Sequence, residues 1–168
     1  MITVGFDGGH TVYDLGPVLD VTFFFSCVKA YVVDAYPDKD WEILTDRLYR
    51  RYLRKEELVS ASVLMTEVRE VLLSAPRDCV EWNSFMSSNG SQSWLDASSS
   101  TLGGLFYRYF ELFDKAKESA ISFMQEFGIY QPVRIVTSSL PDFIIEKNRS
   151  LVEYDALSGD DLPFWMSR

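Results

Sequence analysis

Two β-rich runs open the chain, Ile2-Thr3-Val4-Gly5-Phe6 and Thr11-Val12-Tyr13-Asp14-Leu15. Between them stands Asp7-Gly8-Gly9-His10, whose glycines readily adopt the positive φ angles of a tight turn. The stretch therefore predicts an N-terminal β-hairpin. A later β-rich run, Pro132 to Thr137, predicts a further strand, so we expect a small sheet.

Helical spacing dominates the residues that follow the hairpin. Pro17 stands where a helix can begin, and the apolar residues after it recur at helical spacing until Pro37. Because this helix is rich in β-branched and aromatic residues, a strand at Val28 to Val33 stays open as an alternative.

Further amphipathic helices are predicted along the chain. Apolar stripes run from Trp41 to Tyr52, from Leu58 to Leu72 and from Leu105 to Phe127. Gly128 is suited to cap the last of them. A shorter helical pattern covers Phe143 to Lys147.

Chain length and composition bound the architecture. With 168 residues, 47% of them hydrophobic and 15% aromatic, the chain can bury a substantial core without disulfide or metal cross-links. The expected fold class is α+β, with an N-terminal β-hairpin and several amphipathic helices packed on a small sheet. We expect a single layer-packed domain over residues 1–168.

Cysteine usage and hydropathy favour a cytoplasmic protein. Cys27 and Cys79 lie in apolar segments outside any CxxC pair, so both are expected to be reduced and buried. The chain shows no signal-peptide pattern and no run of about 18 uncharged apolar residues. No membrane partner is therefore expected.

The net charge of the chain is −9, from 25 acidic and 16 basic side chains. A negative field repels nucleic-acid phosphates and accelerates association with basic proteins. Direct nucleic-acid binding is therefore not expected. A basic protein partner is favoured, with acidity that serves solubility alone as the alternative.

Candidates for nucleophilic or metal-assisted catalysis are few. His10 is the only histidine and lies in the predicted turn, where an exposed position without a catalytic role is expected. One histidine and two scattered cysteines offer none of the zinc-ligand spacings. We predict no catalytic residue, no metal site and no cofactor.

The most enzyme-like pattern centres on Asp7. An aspartate at the end of a strand, followed by Gly and Thr, resembles the first motif of haloacid-dehalogenase-type phosphatases. Val136-Thr137-Ser138 and Gly159-Asp160-Asp161 resemble later motifs of that family. However, Gly9 stands where the chemistry needs a second carboxylate as acid and base. Asp7 is therefore expected to be only a turn residue, and a phosphatase-like hydrolase remains an alternative.

A basic helix face runs from Arg47 to Lys55. Cations at this spacing can follow a phosphate backbone. Asp46, Glu56 and Glu57 stand beside them, so ion pairing within and between helices is the favoured interpretation.

Acidic and aromatic residues are interleaved in the C-terminal third. Interface cores favour aromatic side chains, and the charges around them select the partner. The segment is therefore the candidate partner-binding surface; the alternative is a solvated surface with some of its aromatic residues in the core. The candidate residues are Asp142, Glu146, Glu153, Tyr154, Asp155, Asp160, Asp161 and Trp165.

Several segments, in this order, resemble a bacterial immunity-protein family, the one numbered seventy among those of polymorphic toxin systems. They are Met1 to Phe6, Tyr13 to Gly16, Phe24 to Ser26, the Leu44 to Tyr49 helix, Val80-Glu81-Trp82 (also a predicted short strand), and the Leu105 to Phe127 helix. The chain departs from the family at Asn83-Ser84-Phe85, where the family's loop tends to be acidic.

The resemblance implies a function in protein inhibition. Members of such families bind a toxin domain stoichiometrically and protect the producing cell, often in contact-dependent growth inhibition. The expected partner is a cognate toxin C-terminal domain, and an acidic inhibitor suits a basic nuclease. An acidic adaptor or regulatory binding protein is the remaining alternative.

Overall fold

The computed structural model describes residues 2–80, 92–139 and 142–166, without the side chain of Asp142. Within this part of the chain the protein is an α+β domain, as the sequence predicts. The strand predicted for Val80-Glu81-Trp82 and most of the Ser-rich loop after it lie outside the described residues.

A three-stranded antiparallel sheet lies at the centre of the fold. Its strands are β1 (Thr3–Asp7), β2 (Val12–Pro17) and β3 (Arg134–Thr137), in the order β2-β1-β3. The predicted hairpin is confirmed, with the N–H of Gly8 donating to the carbonyl of Thr11 at 2.8 Å in its turn. β1 is therefore the middle strand, although it comes first in the chain.

Helices of several kinds cover this sheet. The α-helices are α1 (Val18–Val28), α2 (Leu58–Leu73), α3 (Leu102–Leu105), α4 (Tyr107–Phe127), α5 (Asp142–Lys147) and α6 (Leu151–Asp155). There are also two π-helical segments, π1 (Lys29–Val33) and π2 (Ile43–Leu48). Short 3₁₀ turns lie at Lys55–Glu57, Arg77–Cys79 and Phe164–Met166. The helices predicted from hydrophobic spacing are present, and Gly128 ends α4 with a φ of 72°.

The strand considered for Val28 to Val33 is wrong. The chain continues from α1 directly into π1, where the N–H of Asp34 donates to the carbonyl of Lys29 at 3.2 Å, five residues earlier. Val32 is fully buried in the common core, so tertiary packing decides against the β propensity of these residues.

Aromatic side chains join the helices to the sheet. The ring of Phe24 on α1 lies 5.0 Å from that of Phe106 and 5.1 Å from that of Tyr109, in edge-to-face geometry. Phe6 on β1 meets Phe113 on α4 edge-to-face at 5.7 Å. These rings are buried and belong to one hydrophobic cluster that extends from the hairpin to α4.

Candidate functional site

Three residues of the predicted C-terminal binding surface are buried in the structure. Glu146 is fully buried, and Tyr154 and Trp165 are each 2% exposed. The indole N–H of Trp165 donates to the carbonyl of Tyr49 at 2.9 Å, which fixes this ring inside the fold. These three residues hold the C-terminal segment on the domain and offer little surface to a partner.

Other predicted residues are exposed but are engaged within the chain. The carboxylate of Asp155 accepts the hydroxyl of Tyr52 at 2.9 Å, and Glu153 caps the N-terminus of α6. The backbone N–H and the hydroxyl of Ser158 lower the pKa of Asp161. Asp160 is exposed. The side chain of Asp142 lies outside the described part of the structure.

The C-terminal segment is held by the arginine-rich helix face. Arg50 donates to the carbonyls of Ser158 and Asp161, both at 2.7 Å. Arg51 donates to the carbonyls of Tyr154 and Leu157, both at 2.6 Å.

The same arginines form the ion pairs that the sequence favoured over nucleic-acid binding. Arg50 and Arg51 both pair with Asp46, at 2.7 and 3.2 Å, and Arg47 pairs with Glu57 at 3.5 Å. Arg47, Arg50 and Arg51 therefore bind acidic side chains or backbone carbonyls of the chain itself.

Asp7 is more than the turn residue that the sequence predicts. Its carboxylate is 2% exposed and accepts the N–H of Gly9 at 3.0 Å, as a turn aspartate does. It also pairs with Arg134 of β3 at 3.4 Å and with the ammonium of Lys147 on α5. A buried carboxylate needs such compensation, because desolvation penalises an unpaired charge.

The phosphatase-like motif at Val136-Thr137-Ser138 is not placed beside Asp7. β1 and β3 are antiparallel, with Asp7 opposite Arg134 and Val4 opposite Thr137, so Thr137 lies at the far end of the strand pair. Both oxygens of the Asp7 carboxylate are already engaged by cations.

Two other sequence expectations concern single side chains. Cys27 is buried, and this burial raises the pKa of its thiol to about 12, but Cys79 is exposed, contrary to the prediction. Cys79 ends a 3₁₀ turn at the surface, where its carbonyl accepts the hydroxyl of Tyr31. His10 is exposed in the hairpin turn, as predicted, and its ring lies 5.6 Å from that of Phe123.

A different acidic surface surrounds an apolar cavity of about 180 Å³ between π1, α2 and the loop 34–42. We call it the acidic pocket; it is lined by Val32, Tyr36, Lys39, Trp41, Glu67, Glu70 and Val71. The loop itself adds the exposed carboxylates of Asp34, Asp38, Asp40 and Glu42. Within the described part of the chain, Lys39 is the only basic residue of this lining, and a 2.7 Å ion pair to Glu67 raises the pKa of Lys39.

The acidic pocket is fixed by hydrogen bonds before any partner arrives. The indole N–H of Trp41 donates to the carbonyl of Tyr36 at 2.7 Å, and its backbone N–H to the carbonyl of Lys39 at 2.9 Å. Trp41 is 4% exposed, whereas 48% of Tyr36 remains exposed beside it. A rigid aromatic edge with carboxylates around it is typical of a protein-binding surface.

The sequence contains a signal for this surface. Residues 34–42 hold four carboxylates, one tyrosine, one tryptophan and one proline within nine positions. This density of charge and aromatic residues exceeds that of the C-terminal segment, but the two carboxylates from α2 join it only through the fold.

Comparisons with protein-family models, with curated proteins and with solved structures find no match to this chain. Within the described residues, no helix has the length and apolar character required to cross a membrane.

Proposed function

We propose that this protein binds and neutralises a bacterial toxin domain by stoichiometric inhibition in the cytoplasm of the producing cell. The observation that carries the proposal is the acidic pocket, which combines an apolar floor with a surrounding set of carboxylates. We infer that the partner is a toxin from the resemblance to immunity proteins, and that the partner is basic from the charge of the site.

The chemistry of the pocket suits a lysine or arginine of the partner. Such a side chain can lay its aliphatic stem against Val32, Trp41 and Val71 while its charged head meets Glu70, since Glu67 is already paired with Lys39. The carboxylates of the loop 34–42 extend the same field outward and accelerate encounter with a basic surface. A basic nuclease, whose own site attracts phosphate, has the complementary charge.

The surroundings of Asp7 weigh against the hydrolase alternative. A nucleophilic carboxylate must reach a substrate, but the Asp7 side chain is buried and is paired with Arg134 and Lys147. The adaptor alternative uses the same acidic surface, so only the identity of the partner distinguishes it from a toxin inhibitor.

Co-expression with the neighbouring gene tests the proposal. The C-terminal domain encoded by the reading frame immediately upstream should arrest growth when expressed alone, and this protein should restore growth. A purified mixture of the two should form a 1:1 complex. An upstream product that is not toxic, or toxicity that this protein does not relieve, would contradict toxin neutralisation.

Charge-reversal variants locate the binding surface. Asp38→Lys with Asp40→Lys should weaken the complex by about thirtyfold or more, because two charges that attract a basic surface are reversed. Tyr36→Ala should weaken it by about the same factor, because it removes an aromatic contact of the interface. Asp160→Lys is the matched control, since it reverses an exposed carboxylate of the C-terminal segment. Strong loss with Asp160→Lys and full binding with the loop variants would assign the interface to the C-terminal segment instead.

A further inference from the structure

A second cavity, of about 400 Å³, lies between α1, the two π-helical segments and the loop around Gly159, and it shares π1 with the acidic pocket. We call it the cationic cavity. Its lining residues are Thr22, Phe25, Ser26, Lys29, Val33, Thr45, Tyr49, Arg50 and Gly159. A volume of this size lies within the range of about 300–1,000 Å³ that is usual for small-molecule sites.

The charge of this lining is opposite to that of the chain. The protein carries 25 acidic and 16 basic side chains. Among the described residues, however, the lining contains Lys29 and Arg50 and no carboxylate. Arg50 is already used, by Asp46 and by the carbonyls of Ser158 and Asp161. An anion in the cavity must therefore be bound mainly by Lys29.

Lys29 is available for this role. It is exposed at the start of π1, and among the described residues no hydrogen bond or ion pair engages its ammonium group. Lys39 of the acidic pocket is by contrast paired with Glu67. A free ammonium at the edge of a cavity supplies one charge-assisted hydrogen bond to a phosphate or carboxylate.

Three hydroxyl groups line the cavity in one repeated arrangement. Thr22, Ser26 and Thr45 each donate their proton to the backbone carbonyl four residues earlier, at 2.9, 3.0 and 3.1 Å. Because those protons are used, the hydroxyl oxygens can accept hydrogen bonds from N–H or O–H groups of a ligand. The rings of Phe25 and Tyr49, 4.7 Å apart, supply the apolar part of the wall.

Both π-helical segments contribute to the cavity. Lys29 and Val33 belong to π1, Thr45 belongs to π2, and the backbone N–H of Tyr49 closes π2 on the carbonyl of Leu44, five residues earlier. π-helical turns are rare and occur frequently at functional sites, because the widened turn aims side chains in directions that an α-helix does not.

We propose that the cationic cavity binds a small organic anion, with a phosphate or carboxylate at Lys29 and hydrogen-bond donors directed at the three hydroxyl oxygens. This site is separate from the acidic pocket and does not depend on the proposed toxin partner. Its anionic ligand also differs in charge from any ligand that the acidic pocket can attract.

Isothermal titration at 150 mM salt tests the proposal, since the Debye length is then about 8 Å and the net charge of the chain is largely screened. The compounds are adenosine monophosphate, adenosine, 4-hydroxybenzoate and inorganic phosphate. Adenosine monophosphate or 4-hydroxybenzoate should bind with a Kd below about 1 mM. Adenosine, which lacks the anion, should bind at least about tenfold more weakly than its monophosphate.

Variants connect binding to the cavity. Lys29→Gln should weaken binding at least about tenfold, while Lys29→Arg should retain most of it. Lys115→Gln, at an exposed position on α4, is the control and should change nothing. Ser26→Trp should fill the cavity and abolish binding with an unchanged far-ultraviolet circular dichroism spectrum.

Three results would overturn the proposal. The first is that neither organic anion binds. The second is that adenosine binds as tightly as its monophosphate. The third is that Lys29→Gln and Lys115→Gln weaken binding equally, which would mean a diffuse attraction to surface cations.

Discussion

Replacing Asp7 by Asn should destabilise the protein strongly, because it removes the charge that compensates a buried arginine. The side chains of Asp7 and Arg134 are only 2% and 5% exposed, and 3.4 Å separates the carboxylate oxygen from the guanidinium Nε. An Asn amide can still accept the N–H of Gly9. Its NH₂ group, however, cannot accept from Arg134, and the guanidinium is then left buried without its counter-charge.

The expected loss is about 3–5 kcal/mol in the free energy of unfolding, the usual cost of breaking a buried ion pair on one side. For a domain of this size, that corresponds to a decrease in Tm of about 6–20 °C. Lys147→Gln should cost less, about 1–3 kcal/mol, because 24% of the Lys147 side chain is exposed and water compensates part of the change.

Urea unfolding, monitored by circular dichroism, measures the free energy of unfolding of both variants. Asp160→Asn is an exposed control and should stay within about 0.5 kcal/mol of the parent. An Asp7→Asn variant within about 1 kcal/mol of the parent would refute the role assigned to this pair. So would a larger loss for Lys147→Gln than for Asp7→Asn. Phosphoester hydrolysis that disappears in a stably folded Asp7→Asn variant would favour the hydrolase alternative.

Three further predictions follow from buried side chains. Burial raises the pKa of Tyr130 to about 12, above its value of about 10 in the unfolded chain, so its contribution to stability should be full below pH 10 and decrease as pH rises towards 12. Tyr130→Phe should make the decrease of stability in urea unfolding at pH 9–12 shallower, while the other buried tyrosines keep part of it. An equal slope in both proteins would contradict this prediction. A thiol reagent at pH 8 should modify Cys79 rapidly and Cys27 only on unfolding, and two fast thiols per chain would show that α1 is open. Phe24→Ala, at the centre of the aromatic cluster, should cost about 3–5 kcal/mol in calorimetry, whereas a loss below about 1 kcal/mol would mean that the cluster is loosely packed.

Local patterns in the sequence account for most of the secondary-structure elements. The two glycines after Asp7 mark the hairpin, and the apolar spacing from Leu105 to Phe127 marks α4. These features depend on neighbouring residues only. Val28 to Val33 remained ambiguous because its β-branched residues suit a strand, while its burial against other helices depends on the complete fold.

The surface of the C-terminal segment could not be predicted in the same way. Tyr154 and Trp165 look like interface residues in the sequence, but both are buried and are held by residues more than 100 positions away along the chain. Likewise, Glu67 and Glu70 reach the loop 34–42 only because α2 packs beside it. The composition of an interface can be read locally, whereas its exposure depends on the tertiary structure.

The strand order β2-β1-β3 has a consequence for synthesis of the chain on the ribosome. Asp7 and its partner Arg134 are 127 residues apart. At about 5–20 residues per second, β1 waits about 6–25 s after its own translation before β3 can pair with it. During that interval one edge of the middle strand is open to other chains, a known route to aggregation. Translation rate and chaperone access should therefore affect the yield of this protein more than they affect proteins whose sheets form from neighbouring hairpins.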